Sequence, residues 1–208
     1  MNALLEELIT GYPDLANCRS DISEAGTVLL RQFRAGHQLL VAGNGGSAAD
    51  AEHIVGELMK GCALPRPLAG PVRERLEAMG ARDIADLLQT GLPAIALSSH
   101  PALMTAIIND IDGTMVFAQQ VLGYGKPGDV LWAISTSGNS ADIVAALKVA
   151  KAIGMYTLGL SGQDGGQMAA HCDVVIRVPY QSTQKIQERH LPIYHMLCLW
   201  VEEQLFGT

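Results

Sequence analysis

The sequence predicts an α/β fold: a doubly wound, three-layer αβα sandwich around a five-stranded parallel sheet, with helices at the N-terminus and one long C-terminal helix. Three observations lead there. Five short runs, QLLVAG (38–43), AIALS (94–98), VLWAIS (130–135), YTLGLS (156–161) and VVIRV (174–178), are apolar without polar alternation, as strands buried on both faces must be. Segments of helical character separate them, which is the βαβ pattern of a parallel sheet. Two of the runs empty into short polar turns, Gly43–Ser47 and Ser135–Ser140, that open such segments.

Each element has its own signal. Leu4, Leu5, Leu8 and Ile9 recur at helical spacing, as do Ile22, Ala25, Val28, Leu29 and Phe33, with Gly36 as a stop. The first strand follows, then a helix from about Ala48 to Lys60 with Ser47 as its N-cap. Residues 65–92 contain Pro65, Pro67, Gly70 and Pro71 and then VRERLEAMGARDIADLLQTG, an insertion of loop and one or two short amphipathic helices. A helix starts near Pro101 and ends in the Asn109-Asp110 turn. Helix 141–153 stops at Gly154, a short helix joins the last two strands, and a long apolar helix spans about 183–206, with a kink expected at Pro192. Its Ile193, Met196, Leu197, Trp200 and Val201, with Leu199, Leu205 and Phe206, surround much of the helix, so cover by a second copy of the chain is expected.

At 208 residues the chain reads as one domain, 1–208, with helices over 1–36 and the insertion over 65–92. Hydrophobic residues make up 49%, charged residues 17%, and mean hydropathy is +0.20, apolar enough to suggest a homo-oligomer. A formal charge of −7 with no basic run argues against nucleic acid as a partner. No run approaches the roughly 20 apolar residues of a bilayer span, so no membrane association is expected. The N-terminus carries two glutamates and no basic region, unlike a signal peptide. Cys18, Cys62, Cys172 and Cys198 are scattered and read as reduced thiols of a cytoplasmic protein.

The two turns carry the chemistry. Ligands of parallel sheets bind at the carboxyl ends of strands, and a helix N-terminus with unpaired N–H groups suits an anion. Ser135, Thr136, Ser137 and Ser140 place four hydroxyls at one such terminus, more than helix capping needs, and form a phosphate cradle. Gly43, Gly45 and Ala48 satisfy a loose dinucleotide fingerprint. The second strand, however, ends in Ser98-Ser99-His100, with no acid to hold a ribose, so no nucleotide cofactor is expected. His53 and Glu57, four apart, share a helix face and can share a proton or a metal. On the last helix Gln187 and His195 lie eight apart, roughly 80° around, with His195 set among apolar neighbours. Glu188, Arg189 and His190 read as an exposed charged edge.

Taken together and in order, GNGGSAADAEH with Glu57, NDIDG, STSGNSADIV and the IQE…H helix resemble the phosphoheptose isomerases of the sugar isomerase (SIS) domain superfamily, over about residues 20–205. The resemblance implies a flavodoxin- or Rossmann-like SIS domain assembled as a cytoplasmic homotetramer with sites shared between subunits, so that His195 faces the loops of a neighbour. The implied reaction converts sedoheptulose 7-phosphate to D-glycero-D-manno-heptose 7-phosphate through an enediol. Carried over by motif, Asn44, Gly45 and Gly46 line the sugar site, Asn109 and Asp110 touch the substrate, and Ser135, Thr136, Ser137 and Ser140 hold its phosphate. Glu57 and His195 match the acid–base pair, their roles interchangeable at this stage, and Glu57 and Gln187 also reach the sugar. Some members bind zinc through residues corresponding to His53, Glu57, Gln187 and His195. The insertion departs from the family, which leaves another phosphosugar open as substrate. Non-catalytic relatives, including a factor that assembles a replication initiator, keep the loops and lose the catalytic side chains; retention of Glu57, Gln187 and His195 favours an enzyme.

Overall fold

A computed structural model describes residues 2–207. Helices α1 (Asn2–Gly11) and α2 (Arg19–Arg34), joined by a 3-10 turn over Pro13–Cys18, precede strand β1 (Leu39–Gly43) and helix α3 (Gly46–Met59). The insertion forms α4 (Gly70–Ala78) and α5 (Arg82–Leu87). Then come β2 (Ala94–Ala96), α6 (Pro101–Asp110), α7 (Val116–Tyr124), β3 (Val130–Ser135), α8 (Ala141–Ala152), β4 (Tyr156–Ser161), β5 (Val174–Arg177) and α9 (Thr183–Phe206). The five strands are all parallel, in the order β2-β1-β3-β4-β5. The chain reverses its winding between β1 and β3, so the crevice beyond their carboxyl ends is the expected ligand position.

Strand pleating divides the core. Leu39 and Val41 of β1 with Trp132 and Ile134 of β3 face one layer, against Ile22, Leu29, Ile54 and Leu197. Leu40, Ala42, Leu131 and Ala133 face the other, against Phe117, Val121, Ile143 and Leu147. Helix α9 packs beside α2 and α3 in the first layer, which carries its polar residues to the α3 face that follows the glycine turn.

Several expectations change. Strand β2 stops at Ala96 because Leu97–Ser99 turn into a 3-10 helix. Gly45, not Ser47, is the N-cap of α3; its φ of +56° suits glycine, and Ser47 is buried in the first turn. Helix α7 went unread. Helix α9 runs unbroken through Pro192. Its Ile193, Met196, Leu197, Trp200 and Val201 are all at most 5% exposed within their own chain, against the opening helices and α3, while Leu199, Leu205 and Phe206 stay partly exposed and Leu191 is 41% exposed. His190 is buried and Arg189 is partly covered, which leaves only Glu188 exposed of the three. No helix among the described residues is long and apolar enough to cross a membrane.

Candidate active site

At the switch point, Asn44, Gly45, Gly46 and Ser47 from the β1–α3 turn meet Ser135, Thr136 and Ser140 from the β3–α8 turn across a cleft of about 310 Å³, closed by Thr183 and Gln187 of α9. Glycine is required at two points. A Cβ on Gly43 would run into the Ser47 carbonyl, and one on Gly46 would run into the Gln187 amide that lies over it. The N-cap residues of α3 and α8, Gly45 and Ser140, make no side-chain cap bond, and in α8 the Ile143 N–H donates to Asp142 Oδ1 at 2.9 Å. The Ser140 hydroxyl instead lies 3.1 Å from that of Ser135. Two helix N-termini and the hydroxyls of Ser135, Thr136 and Ser140 therefore converge on one cleft, which is what an anionic oxygen cluster needs. Asn44 Nδ2 donates to both carboxylate oxygens of Asp142, at 3.1 and 2.9 Å, which leaves its carbonyl oxygen for a ligand. Ser137 does not line this cleft; its hydroxyl accepts from the Asn139 N–H and its loop borders a neighbouring cavity with Gln163 and Tyr180.

A second group of side chains lies further along α3. His53 Nε2 is 3.4 Å from Glu57 Oε1, and His195 Nε2 is 3.1 Å from His53 Nε2. His195 of α9 thus meets His53 of α3 within one chain. Lys60 Nζ donates to Glu57 Oε2 at 3.3 Å. Burial would raise the Glu57 carboxyl, but the Cys62 thiol, Lys60 and the His53 charge outweigh it and hold the group below the ordinary glutamate range. Burial lowers His195, His53 lowers it further, and Glu57 opposes both. The site therefore presents an ionised carboxylate beside a neutral imidazole near pH 7. Burial pushes Asp50, behind His53, upward against the pull of Tyr194 and His53.

Asn109 and Asp110 stay outside both groups, exposed at the end of α6, where Asn109 Nδ2 donates to Asp110 Oδ1 at 2.7 Å. A larger cavity of about 670 Å³ lies between α3 and β2, beside Glu52, Ser99 and His100, but none of the acid–base side chains lines it. Sequence reading missed Asp50 and Tyr194. Asp50 carried a signal, three residues before His53 on the same helical face.

Arg66 was also missed, and it is wholly buried. Its Nε donates to Glu202 Oε1 at 2.7 Å, and its Nη1 to the Leu58 carbonyl at 2.7 Å. Glu202 in turn accepts from the N–H groups of Cys62, Ala63 and Leu64 at 2.7, 2.7 and 2.9 Å. This pair ties the end of α3, immediately after Glu57, to the last turns of α9.

A polar cleft at the switch point of a parallel sheet, with a carboxylate and imidazoles further along the helix it opens, is the arrangement of a small-molecule α/β enzyme. Residues 74–162 match the family model of the SIS domain. The phosphoheptose isomerase of Crocosphaera subtropica is 42% identical over 180 residues, 86% of this chain and 80% of that one. That of Trichlorobacter lovleyi is 38% identical over 192 residues, 92% and 86% of the two chains. Among solved structures, the phosphoheptose isomerase of Neisseria gonorrhoeae superposes with a TM-score of 0.73 at 31% identity, covering 96% of this chain and 99% of that one. The enzyme of Francisella tularensis gives 0.76 at 29% identity, covering 97% and 96%. The chain belongs to the phosphoheptose isomerase family and is a phosphosugar isomerase.

Proposed function

We propose that the enzyme interconverts sedoheptulose 7-phosphate and D-glycero-D-manno-heptose 7-phosphate, with Glu57 and His195 as its acid–base pair. The observation that carries this reading is the contact of His195 with His53 beside Glu57, on the helix that opens at the anion cleft. The phosphate would take the hydroxyls of Ser135, Thr136 and Ser140 and the amides opening α8, while Asn44, Gly45, Gly46 and Gln187 would face the sugar. Aldose–ketose isomerisation moves a proton between adjacent carbons through a cis-enediol, so it needs one group for the carbon proton and one for the oxygen proton. Glu57, held ionised, is suited to abstract the carbon proton and return it one carbon away. His195, neutral, is suited to carry the proton between the two oxygens.

His53, Glu57, Gln187 and His195 are the residues that would hold zinc. Imidazole and carboxylate donors suit that ion, and the 3.1 and 3.4 Å spacings around His53 Nε2 approximate the edges of a tetrahedron with bonds of about 2 Å. Among the described residues, no three His, Cys, Asp or Glu side chains are disposed around one point, so support lies in donor type and pairwise spacing. Zinc would supply charge stabilisation for the enediolate. Metal analysis of protein purified without chelator is expected to find up to one zinc per chain, lost in the His53→Ala/His195→Ala double variant. An unchanged stoichiometry removes this site.

The activity test is direct. Glu57→Gln and His195→Ala are each expected to lower kcat with sedoheptulose 7-phosphate by about 10²-fold or more. Wild-type turnover in both variants would defeat the assignment. A panel of other ketose phosphates tests the choice of substrate.

A further inference from the structure

The isomerase reading gives no role to Asp50 or Tyr194, yet Tyr194 touches His53 on the side away from Glu57 and His195. The Tyr194 hydroxyl oxygen lies 3.2 Å from Asp50 Oδ1 and 3.1 Å from His53 Nδ1. The phenol has one proton for two neighbours, and an ionised carboxylate can only accept. Giving that proton to His53 would set the Asp50 oxygen against the lone pairs of the phenol. The other carboxylate oxygen, Oδ2, is already buried without a partner, so Asp50 would then lose its side-chain donor at the cost of an unsatisfied buried charge. The favourable order is Tyr194 donating to Asp50 and His53 Nδ1–H donating to Tyr194.

We propose that Asp50 and Tyr194 are positioning residues that fix His53 as its Nδ1–H tautomer, so that an unprotonated Nε2 faces Glu57 and His195. A neutral imidazole protonated on one nitrogen keeps its lone pair on the other. Here that other atom is Nε2, 3.1 Å from His195 Nε2 and 3.4 Å from Glu57 Oε1. The relay therefore favours a proton acceptor, or a ligand nitrogen, aimed into the site, in opposition to the Glu57 carboxylate, which would accept from an Nε2–H. Tyr194 is 1% exposed, which holds the phenol in place, and its ring stands edge-on to that of His53, at 71° with centroids 5.4 Å apart. The inference rests on His53 belonging to the proposed site and makes no use of the identity of the sugar.

Long-range ¹H–¹⁵N correlation of the imidazoles tests it, on full-length protein dialysed against a chelator so that no metal ion sets the tautomer. The chain has six histidines, and His53→Gln identifies the resonances of His53 by their loss. At pH 8.5, two units above the reference imidazole pKa of about 6.5, wild-type His53 is expected to show a protonated, pyrrole-type Nδ1 and a pyridine-type Nε2. Tyr194→Phe keeps the ring volume and removes the acceptor; Asp50→Ala frees the phenol proton to turn to Nδ1. Both are expected to move His53 toward the Nε2–H form, with backbone spectra showing the fold retained. Nε2–H in the wild type, or Nδ1–H unchanged in both variants, overturns the proposal. Because the readout needs no turnover, it separates this inference from the choice of substrate and from the isomerase mechanism.

Discussion

Single residues decide how the cleft is built, and two glycines make this testable. Gly46→Ala puts a methyl group where the Gln187 amide lies, so the variant is expected to displace Gln187 and raise KM while the fold persists. Paired Gly46→Ala/Gln187→Ala relieves the clash; recovery of thermal stability in the double variant, without recovery of KM, checks that Gln187 both packs on and serves the cleft. Gly43→Ala meets a backbone carbonyl rather than a flexible side chain and should cost more stability than Gly46→Ala. Differential scanning calorimetry of the two variants orders them, and equal melting temperatures would contradict this difference. The turns themselves were legible because glycine and serine clusters after apolar runs have few other uses. Arg66 was not legible: it sits in a loop between two prolines, and its carboxylate partner is 136 residues away. Local pattern carries no trace of such a pairing.

At the scale of elements, α9 shows what periodicity reveals and what residue type conceals. Ile186, His190, Ile193 and Leu197 follow one another at spacings of four, three and four, a core stripe, and all are at most 2% exposed. The spacing placed position 190 inside; its polar identity argued for the surface, and the spacing won. Burial holds the His190 ring well below the ordinary imidazole range, to about 4, so it sits there uncharged. The pair formed by Arg66 and Glu202 makes a stability prediction of opposite chemistry. Burial would raise Glu202, but the N–H groups of Ala63, Cys62 and Leu64 and the Arg66 side chain outweigh it and lower the group. A depressed carboxylate stabilises the fold above its unfolded pKa and loses that contribution as pH falls through the folded value. Melting temperature is therefore expected to hold above about pH 5 and to fall below about pH 4.3, the ordinary glutamate value. Arg66→Met leaves a buried charge unpaired and should cost about 3–5 kcal/mol in chemical denaturation. A loss below 1 kcal/mol would show the pair to be dispensable. The insertion is the converse case. Helix α4 buries no residue and α5 only Ala85, and its neck is closed by the Pro67–Gln89 bridge and by Thr90 N–H donating to the Arg66 carbonyl at 2.7 Å. Replacing residues 69–87 with a short glycine–serine turn is expected to shift the melting temperature by less than about 4 °C, the equivalent of about 1 kcal/mol at this size.

For the molecule as a whole, the parallel sheet and the layers covering both its faces followed from five unalternated strands, whereas the strand order and the surface did not follow from pattern or composition. The apolar excess was assigned to α9, most of which its own chain covers. Exposed apolar residues lie on the insertion, where Met79 and Leu87 are 79% and 84% exposed, at Leu191 of α9, and, as a further patch, along α6, α7 and the turn between them, where Leu103, Ile108, Ile111 and Leu122 are 38%, 53%, 57% and 57% exposed. The homotetramer that the family resemblance implies is expected to use this last patch. Light scattering at low micromolar concentration should give four times the chain mass, and Ile108→Glu with Ile111→Glu should lower it. A wild-type monomer with full activity would refute the assembly.

The tie between Arg66 and Glu202 also sets a timetable for biosynthesis. The N–H groups of residues 62–64 wait for an acceptor that the ribosome makes about 140 residues later. Strands β1 to β5 and both glycine- and serine-rich turns precede Glu202 in the chain, but the segment after Glu57 cannot take its final course until that carboxylate is in place. The acid–base face is thus completed by a contact that spans most of the chain, in a step separate from the pairing of the strands.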